Sequence, residues 1–250
     1  MADTHYEDPR LAAIYDALNP WAADTDFYLS LAPAQPARIL DLGCGTGLLA
    51  CAYANAGHAV VAVDPAAPML ALAREKPGAS RVSWIQADAQ SYRSAQRFDL
   101  IVMTGHAFQV LLSDDAVQAT LTGMRQHLAP HGRIVFETRN PNVQIWQHWQ
   151  AEQSRRQITV DGIGTLEIWH ELNSVDNELV RFSTHYHFAQ DATTLSSTST
   201  LRFLAVETLL DNLNQAGLAI DTLYGDWNRS PFRTDSPEII VCAKKRVESG

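Results

Sequence analysis

The sequence lacks the long apolar segments that mark membrane proteins and exported proteins. No run approaches the roughly 18 apolar residues that are needed to cross a bilayer. The N-terminal stretch 1–8 also lacks the apolar core of a signal peptide. We therefore expect a cytoplasmic protein that has no membrane partner.

Cysteine is scarce, and the few copies present do not form a redox or metal motif. The three cysteines are Cys44, Cys51 and Cys242, and none belongs to a C-x-x-C pair. This usage is typical of small buried side chains in a reducing compartment. Among the nine histidines, His185 and His187 share one face of a predicted strand. No third ligand is visible beside them, so we expect no metal.

Positive charge is also in short supply. The chain has 19 lysines and arginines against 28 acidic residues, which gives a formal net charge of -9. Proteins that bind nucleic acids normally carry a basic stripe, and only short clusters at 155–156 and 244–246 come near to one. We expect a small-molecule partner and no nucleic acid. At 250 residues the chain has room for one sizeable domain with an elaboration, as a monomer or a homodimer.

The most informative segment is a strand that breaks into a glycine turn. An apolar pattern over 37–42 leads into three glycines at alternate positions, Gly43, Gly45 and Gly47, and a helical pattern begins at Leu48. A strand, a glycine turn and a helix in this order form the first half of a βαβ unit. Glycine adopts positive φ freely and leaves room for a ligand near the backbone. We therefore expect a small molecule to lie across this turn.

The glycine spacing distinguishes between the common nucleotide-binding motifs. Counted from Gly43, the dinucleotide fingerprint G-x-G-x-x-G needs its third glycine at position 48, and a P-loop needs a lysine after its last glycine. Leu48 occupies that position, so neither phosphate-binding pattern is satisfied. The spacing argues against an NAD-linked oxidoreductase.

The segment 41–47, Asp-Leu-Gly-Cys-Gly-Thr-Gly, resembles the first motif of the class I S-adenosylmethionine (SAM) dependent methyltransferases. The resemblance to the core of this family extends over about 36–142 and 204–245. It implies an α/β fold with a seven-stranded, Rossmann-like, doubly wound sheet. It also implies SAM as the cofactor and S-adenosylhomocysteine as the product. On this basis Asp41, Gly43, Cys44 and Gly45 are expected to contact the cofactor.

Further cofactor contacts are predicted at the ends of the next strands. Asp64 ends a strand over 59–63 and lies 21 residues after Gly43. An acid about 20 residues on binds the ribose hydroxyls in nucleoside-binding βαβ units, although Asp64 could instead cap the following helix. The other expected contacts are Pro65 beside it, Met69, which packs on the adenine or in the core, and Asp88 with Ala89, where the family's adenine-binding acid falls.

The reacting methyl group should face the carboxyl ends of strands four and five, predicted at 98–103 and 133–137. Ligands of open α/β sheets lie beyond those ends. Thr104 and His106 follow the first strand, and Arg139 follows the second. His106 is the candidate general base because histidine titrates near neutral pH, or it is a hydrogen-bonding group that positions the acceptor. Arg139 could pair with an acceptor carboxylate or with a neighbouring acid.

Aromatic and histidine side chains complete the predicted site. Tyr15, near the end of an N-terminal helix, is similar to a family tyrosine that covers the cofactor, and packing would explain it equally well. Trp21, Trp146 and His185 are assigned to the acceptor pocket. For Trp21, packing on the core is the favoured interpretation of the sequence alone.

Between 150 and 203 the α/β pattern gives way to β-hairpin signals. Asp161-Gly162 and Asp176-Asn177 predict two-residue turns, and residues 179–188 alternate between an apolar and a polar face. We interpret 150–203 as an inserted antiparallel β lid, and 1–149 with 204–250 as the SAM-binding core. The last two core strands are predicted at 219–224 and 238–243.

Together these features predict an enzyme that transfers a methyl group from SAM to oxygen or nitrogen of a small-molecule acceptor. One alternative is a nucleic-acid or protein methyltransferase, which the acidic composition disfavours. Another is a non-catalytic SAM-binding module, which only a turnover measurement can separate from an enzyme.

Overall fold

The computed structural model describes residue 6 and residues 8–246, which form two β-sheets flanked by helices. Most of the stretch 1–8, where no signal peptide is expected, lies outside the described residues. The strands are β1 (Arg38–Leu42), β2 (Ala59–Asp64), β3 (Val82–Gln86), β4 (Phe98–Met103), β5 (Leu128–Arg139), β6 (Arg156–Val160), β7 (Gly164–Asp176), β8 (Leu179–Phe188), β9 (Thr193–Arg202), β10 (Leu218–Tyr224) and β11 (Glu238–Lys245).

The helices lie mainly between the strands of the larger sheet. They are α1 (Pro9–Leu18), α2 (Ala23–Leu29), α3 (Leu48–Asn55), α4 (Ala67–Glu75), α5 (Asp114–His127), α6 (Ala151–Ser154) and α7 (Val206–Gln215). Short 3-10 turns occupy Ala79–Arg81, Ala107–Val110, Pro141–Val143 and Ile145–His148. Side chains cap the helices where the sequence allows it: Asp8 accepts from the Arg10 amide at 2.7 Å, and Ser113 accepts from the Ala116 amide at 3.2 Å. Among the described residues, no helix is both long and apolar enough to span a membrane.

The seven-stranded sheet has the order β10-β11-β5-β4-β1-β2-β3. Strands β1 to β5 run parallel, and β11 is antiparallel to both β5 and β10. The predicted fold class, a doubly wound α/β sheet accompanied by an antiparallel sheet, is confirmed. Because the strand order reverses beside β1, the carboxyl ends of β1 and β4 border a crevice in which ligands of such sheets bind.

Both faces of the larger sheet are covered, so its central strands are largely apolar. Successive residues of β1 illustrate this, since Ile39 packs into one core cluster and Leu40 into the other. Neither side chain is exposed. A parallel sheet that is buried in this way leaves only its strand ends and loops to contact a ligand.

The four strands β6 to β9 form the second sheet, which lies against the N-terminal helix. One face of this sheet contributes Leu166, Ile168, Tyr186 and Phe188 to a cluster that also contains Leu11 and Ile14 of α1. The predicted alternation in β8 is therefore visible, with Tyr186 and Phe188 buried and Arg181 exposed. The division of the chain into a core and a lid at 150–203 remains a prediction, and the second sheet falls inside that interval.

Strand β5 is longer than predicted. It begins at Leu128 rather than Arg133, so Pro130 and Gly132 lie inside the strand instead of ahead of it. The register against β4 shifts between Phe98 and Leu100. A Cβ on Gly132 would stand 2.7 Å from the Phe98 carbonyl oxygen. Glycine in a strand often marks such a close backbone approach. From the sequence alone, Gly132 was interpreted as the end of a loop ahead of the strand.

Both hairpin turns of the second sheet differ slightly from the prediction. Val160 pairs with Gly164, so the first turn has three residues rather than two, and its third residue, Ile163, packs on the α1 cluster. Asp176 pairs with Leu179, which shifts the second turn by one residue to 177–178. The register follows the burial of apolar side chains, which a turn dipeptide alone does not determine.

The last glycine of the turn after β1 supports a packing contact that larger residues would disrupt. Gly47 has φ +73°, and a Cβ there would lie 2.3 Å from Trp84 Cη2. The indole of Trp84 is held by a 3.1 Å hydrogen bond from its Nε1 to the Ala79 carbonyl. Overpacking of this kind costs about 1–3 kcal/mol, in addition to the strain of positive φ.

We therefore expect Gly47→Ala to lower the melting temperature of the protein. The matched control is Gly57→Ala, since Gly57 has φ +94° but open space around its missing Cβ. About 1 kcal/mol shifts the melting temperature of a chain of this size by about 2–4 °C, so Gly47→Ala should melt at least about 2 °C below the control. Equal melting temperatures in thermal denaturation would show that Trp84 does not require a glycine here.

Candidate functional site

The glycine turn after β1 is held against the end of β2 by backbone hydrogen bonds. Gly43, Gly45 and Gly47 all have positive φ, at 74°, 53° and 73°. The amides of Gly43 and Cys44 donate to the Val63 carbonyl at 2.7 and 3.1 Å. These hydrogen bonds fix the shape of the turn, which suits a preformed binding site.

Asp64 links this turn to the helix that follows β2. Its carboxylate accepts from the Gly45 amide at 2.8 Å and from the Ala66 amide at 2.9 Å, one bond to each oxygen. Burial raises the pKa of Asp64, although these two amide bonds act to lower it. Each carboxylate oxygen has a further lone pair. Ribose binding by Asp64 stays a prediction, and both oxygens retain acceptor capacity for it.

Asp41, in β1, carries a polar atom that has no hydrogen-bond partner within the part of the chain that the structure describes. The residue is 1 % exposed, and its Oδ1 is both buried and unpaired. Burial raises the pKa of Asp41 to about 7, with further contributions from Asp64 and Glu137. An unpaired buried carboxylate oxygen is costly. A cationic group bound beside the turn would satisfy it, and the amino group of SAM has the required charge.

Helix α1 lies over the glycine turn. The ring of Tyr15 lies 3.8 Å from the position that a Cβ on Gly45 would occupy. Asp16, the next residue, hydrogen-bonds to Thr46 of the turn and forms an ion pair with Lys76 beyond α4. Burial raises the pKa of Tyr15, so its phenol stays protonated. Sequence reasoning left Tyr15 open between covering the cofactor and packing, and the covering role stays a prediction. It missed the contacts of Asp16.

The remaining predicted cofactor contacts fall around the same crevice, with varied exposure. Met69 is 1 % exposed and packs against Ala12 and Ala66 beneath α1, so its visible contacts are those of core packing. Asp88 is exposed and close enough to raise the pKa of Asp64. The half-buried residues of the set are Cys44, Pro65, Ala89 and Thr104. All of these roles stay predictions.

The loop after β4 carries His106 to the first glycine of the turn. His106 has φ +58°, and a Cβ on Gly43 would lie 3.0 Å from the Cβ of Ala107, the residue after His106. The His106 Nε2 lies 3.0 Å from Glu238 Oε2, at the start of β11. Burial lowers the pKa of His106 to about 4, and the nearby Arg139 adds to this effect. His106 is therefore neutral at physiological pH.

A fully buried carboxylate fixes the backbone of that loop. Glu137 of β5 is 1 % exposed; its Oε1 accepts from the His106 amide at 2.6 Å, and its Oε2 accepts from the Tyr28 hydroxyl. Burial raises the pKa of Glu137, and the proximity of His106 opposes that shift. The sequence offered one overlooked signal for Glu137, a charged residue at the end of an otherwise apolar strand. It offered none for Tyr28, whose contact depends on tertiary folding.

Arg139 lies in the same neighbourhood and has partners within the protein. Its backbone lies opposite that of Glu238 in the register of β5 and β11. Its Nη1 donates to Gln109 Oε1 at 2.9 Å. Gln109 in turn donates to the Arg202 carbonyl of β9 at 3.2 Å, which connects the loop after β4 to the second sheet. Contact of Arg139 with an acceptor stays a prediction. Gln109 and Glu238 were missed from the sequence because their partners are distant along the chain.

The three other predicted acceptor residues have different surroundings. Trp21 is 40 % exposed, which contradicts its predicted packing on the core, because its indole nitrogen reaches outward to Asp26 at 2.7 Å. Trp146 is buried against Phe203 of the segment after β9, with ring centroids 4.5 Å apart. His185 stacks on Trp169, on the β8 face opposite Tyr186. Roles for these three in acceptor binding remain predictions.

Metal binding has no geometric support at this site. Within residues 6 and 8–246, no group of three or more histidine, cysteine or carboxylate side chains is placed to hold an ion. His185 and His187 bond instead to Ser196 and Thr194 of β9, at 2.7 and 3.0 Å.

Comparison with known proteins gives consistent results. A family model described as a methyltransferase domain matches residues 39–132. A cypemycin N-terminal methyltransferase from a Streptomyces species is 26 % identical over 98 % of this chain and all of that protein. The solved CcbJ methyltransferase of Streptomyces caelestis superposes with a TM-score of 0.77 at 19 % identity, covering 99 % of this chain and 100 % of that one. The SAM-bound amino pentose methyltransferase CalS10 of Micromonospora echinaspora superposes with a TM-score of 0.69 at 21 % identity. The match covers 94 % of this chain and 97 % of that one.

Proposed function

We propose that this chain is a class I S-adenosylmethionine-dependent methyltransferase that methylates a nitrogen or oxygen atom of a small-molecule acceptor. SAM is the cofactor predicted from the glycine turn, and the matched methyltransferase domain and the SAM-bound CalS10 structure support it. When bound, SAM supplies a methyl group that is already activated by its positive sulfur. The protein then needs mainly to orient the acceptor and exclude water, which can lower a barrier by about 7–11 kcal/mol.

The observation that carries this proposal is the unpaired Oδ1 of Asp41 beside the glycine turn. In the proposed complex Asp41 would accept from the amino group of SAM, beside the backbone of the glycine turn. Asp64 holds the ribose hydroxyls while it keeps its bonds to Gly45 and Ala66. Met69, Asp88 and Ala89 are proposed to border the adenine.

Helix α1 and the second sheet are proposed to close the site. Tyr15 lies over the turn, and α1 is held from outside by the apolar face of the second sheet. We propose the name lid for β6 to β9 on this ground. Thr104, His106 and Arg139 would then face the acceptor, since they end or follow β4 and β5 beside the turn.

The acceptor is proposed to be small because the chain is acidic overall. The net charge is -9, and phosphate backbones are bound mainly through lysine and arginine. The similar proteins include one named for a peptide N-terminus and one for an amino pentose. An acceptor of either kind fits the proposal, and a gel shift with duplex DNA and RNA tests the alternative.

The direct test is transfer of a labelled methyl group. The purified protein is incubated with methyl-labelled SAM and a panel of amines, alcohols, peptides and nucleic acids, and products are identified by mass spectrometry. We expect label in at least one small molecule or short peptide. Label in nucleic acid would contradict the small-molecule proposal, and SAM binding without transfer to any acceptor would favour a binding module.

A further inference from the structure

A histidine–glutamate pair lies beside the cofactor turn, with the histidine in the loop after β4 and the glutamate at the start of β11. His106 and Glu238 approach within 3.0 Å, and their side chains are 19 % and 12 % exposed. Both side chains therefore keep a small exposed surface near the carboxyl ends of β4 and β5. The loop that carries His106 touches Gly43 through Ala107, so the pair adjoins the point where a methyl donor and an acceptor would meet.

The charges that face this pair from the surrounding elements are mostly negative. Asp24 of α2 is close enough to influence both members, and Asp226, between β10 and β11, influences Glu238. Glu137 of β5 faces His106, and Arg139 of the same strand is the one cation among the groups that influence the pair in the described part of the chain. The resulting negative electrostatic potential favours the binding of a positively charged ligand.

We propose that the acceptor is a protonated amine and that Glu238, together with His106, takes the proton from it before methyl transfer. This inference rests on the proposed function, whose acceptor atom it narrows from nitrogen or oxygen to nitrogen. An alkyl ammonium has no free electron pair, so it cannot attack a methyl group. The acidic surroundings select the ammonium form, and the His106–Glu238 pair converts it to the reactive amine.

The steps balance in atoms and charge. The ammonium transfers one proton to the pair, which leaves an electron pair on nitrogen. That electron pair forms the new N–C bond while the C–S bond of the donor breaks and leaves its electrons on sulfur. The methylated product leaves as an ammonium, and the pair returns its proton to solvent.

The protonation equilibria of the two residues suit this role. Burial raises the pKa of Glu238 to about 7, an effect that Arg139 opposes and Asp226 and Asp24 reinforce. His106 is neutral at that pH because its pKa is lowered to about 4. The pair therefore accepts and releases one proton near neutrality, where general bases are most effective. Activity should rise with pH through about 7, because Glu238 must be deprotonated to act.

The acceptor class is tested with matched pairs that differ only in the nucleophile. Glucosamine is compared with glucose, and a short alanine-rich peptide with its N-acetylated form, each with methyl-labelled SAM. We expect label only in the member that carries a free amine. Label in glucose or in another hydroxyl would overturn the inference while leaving the methyltransferase function in place. Absence of label from every pair, with SAM bound, would overturn the proposed function as well.

The role of Glu238 is tested with Glu238→Gln on the labelled amine, compared with the wild type. At pH 7 the variant should be about 10²–10⁴-fold slower with unchanged SAM affinity. Its rate should also keep rising up to the pKa of the free amine, because only the neutral acceptor reacts unaided. The control is Glu167→Gln, since Glu167 forms an ion pair with Arg155 at 3.0 Å and neither residue is assigned to the site. This variant should leave the rate and its dependence on pH unchanged.

A measurement without turnover completes the test. In protein that contains carbon-13 glutamate carboxyl groups, NMR should show one carboxyl that titrates near pH 7, and Glu238→Gln should lack that signal. The proton transfer would be refuted if Glu238→Gln kept the wild-type rate and the same rise of rate with pH near pH 7. If the variant only raised the KM for the acceptor and left the pH dependence of the rate unchanged, Glu238 would position the acceptor and would not take its proton.

Discussion

Asp64→Ala is expected to weaken SAM binding by roughly 10²–10⁴-fold in a calorimetric titration. Hydrogen bonds to a charged group contribute about 1.5–3 kcal/mol each, and two ribose hydroxyls would lose about 3–6 kcal/mol, where ~1.4 kcal/mol is a factor of ten. The variant also leaves the Gly45 and Ala66 amides without their acceptor, so the shape of the turn is loosened. A melting curve should precede the titration to confirm that the variant is folded.

The matched control is Asp99→Ala. Asp99 also accepts a backbone amide, from Arg38 at 2.9 Å, but it does so at the amino end of β1, away from the crevice. We expect its SAM affinity to stay within about two-fold of the wild type, since no cofactor contact is placed there. An unchanged dissociation constant in Asp64→Ala would refute the ribose assignment.

Ile14→Asp is expected to lower SAM affinity at least about ten-fold and to reduce turnover at limiting SAM accordingly. Ile14 is fully buried between α1 and the second sheet. An unpaired carboxylate in that place would cost several kcal/mol, so α1 should detach rather than bury it. Detachment removes Tyr15 from above the glycine turn and breaks the bond between Asp16 and Thr46.

Ala13→Asp provides the control on the same helix, because Ala13 is exposed and the charge change is identical. Its SAM affinity should match that of the wild type. If Ile14→Asp bound SAM as tightly as Ala13→Asp does, the docking of α1 by the second sheet would have no part in holding the cofactor.

The features that could be predicted from the sequence are those encoded over a few neighbouring residues. The apolar run of β1, the glycine turn and the start of α3 form one continuous signal, and the alternation in β8 is another. Tyr15 was placed as a cover through family resemblance, and it lies over Gly45. The length of β5 was misjudged, because Pro130 and Gly132 are read locally as breaks while Leu128 pairs with Phe98.

The partners of the candidate base His106 could not be predicted, because these contacts join distant positions. His106 and Glu238 are 132 residues apart, and Tyr28 and Glu137 are 109 apart. Glu238 was read only as the first residue of a strand. Its importance follows from the antiparallel placement of β11 beside β5, which brings it opposite Arg139. Burial then changes the pKa of both His106 and Glu238, which no residue pattern reveals.

The most direct measurement of cofactor identity is a calorimetric titration of the wild-type protein with SAM, S-adenosylhomocysteine and NAD. Leu48 stands where the dinucleotide-binding fingerprint needs its third glycine. The unpaired Oδ1 of Asp41 could accept a hydrogen bond from the amino group of SAM. We therefore predict one binding site per chain for SAM and for S-adenosylhomocysteine, and no heat of binding for NAD. Tight binding of NAD without binding of SAM would contradict the assignment.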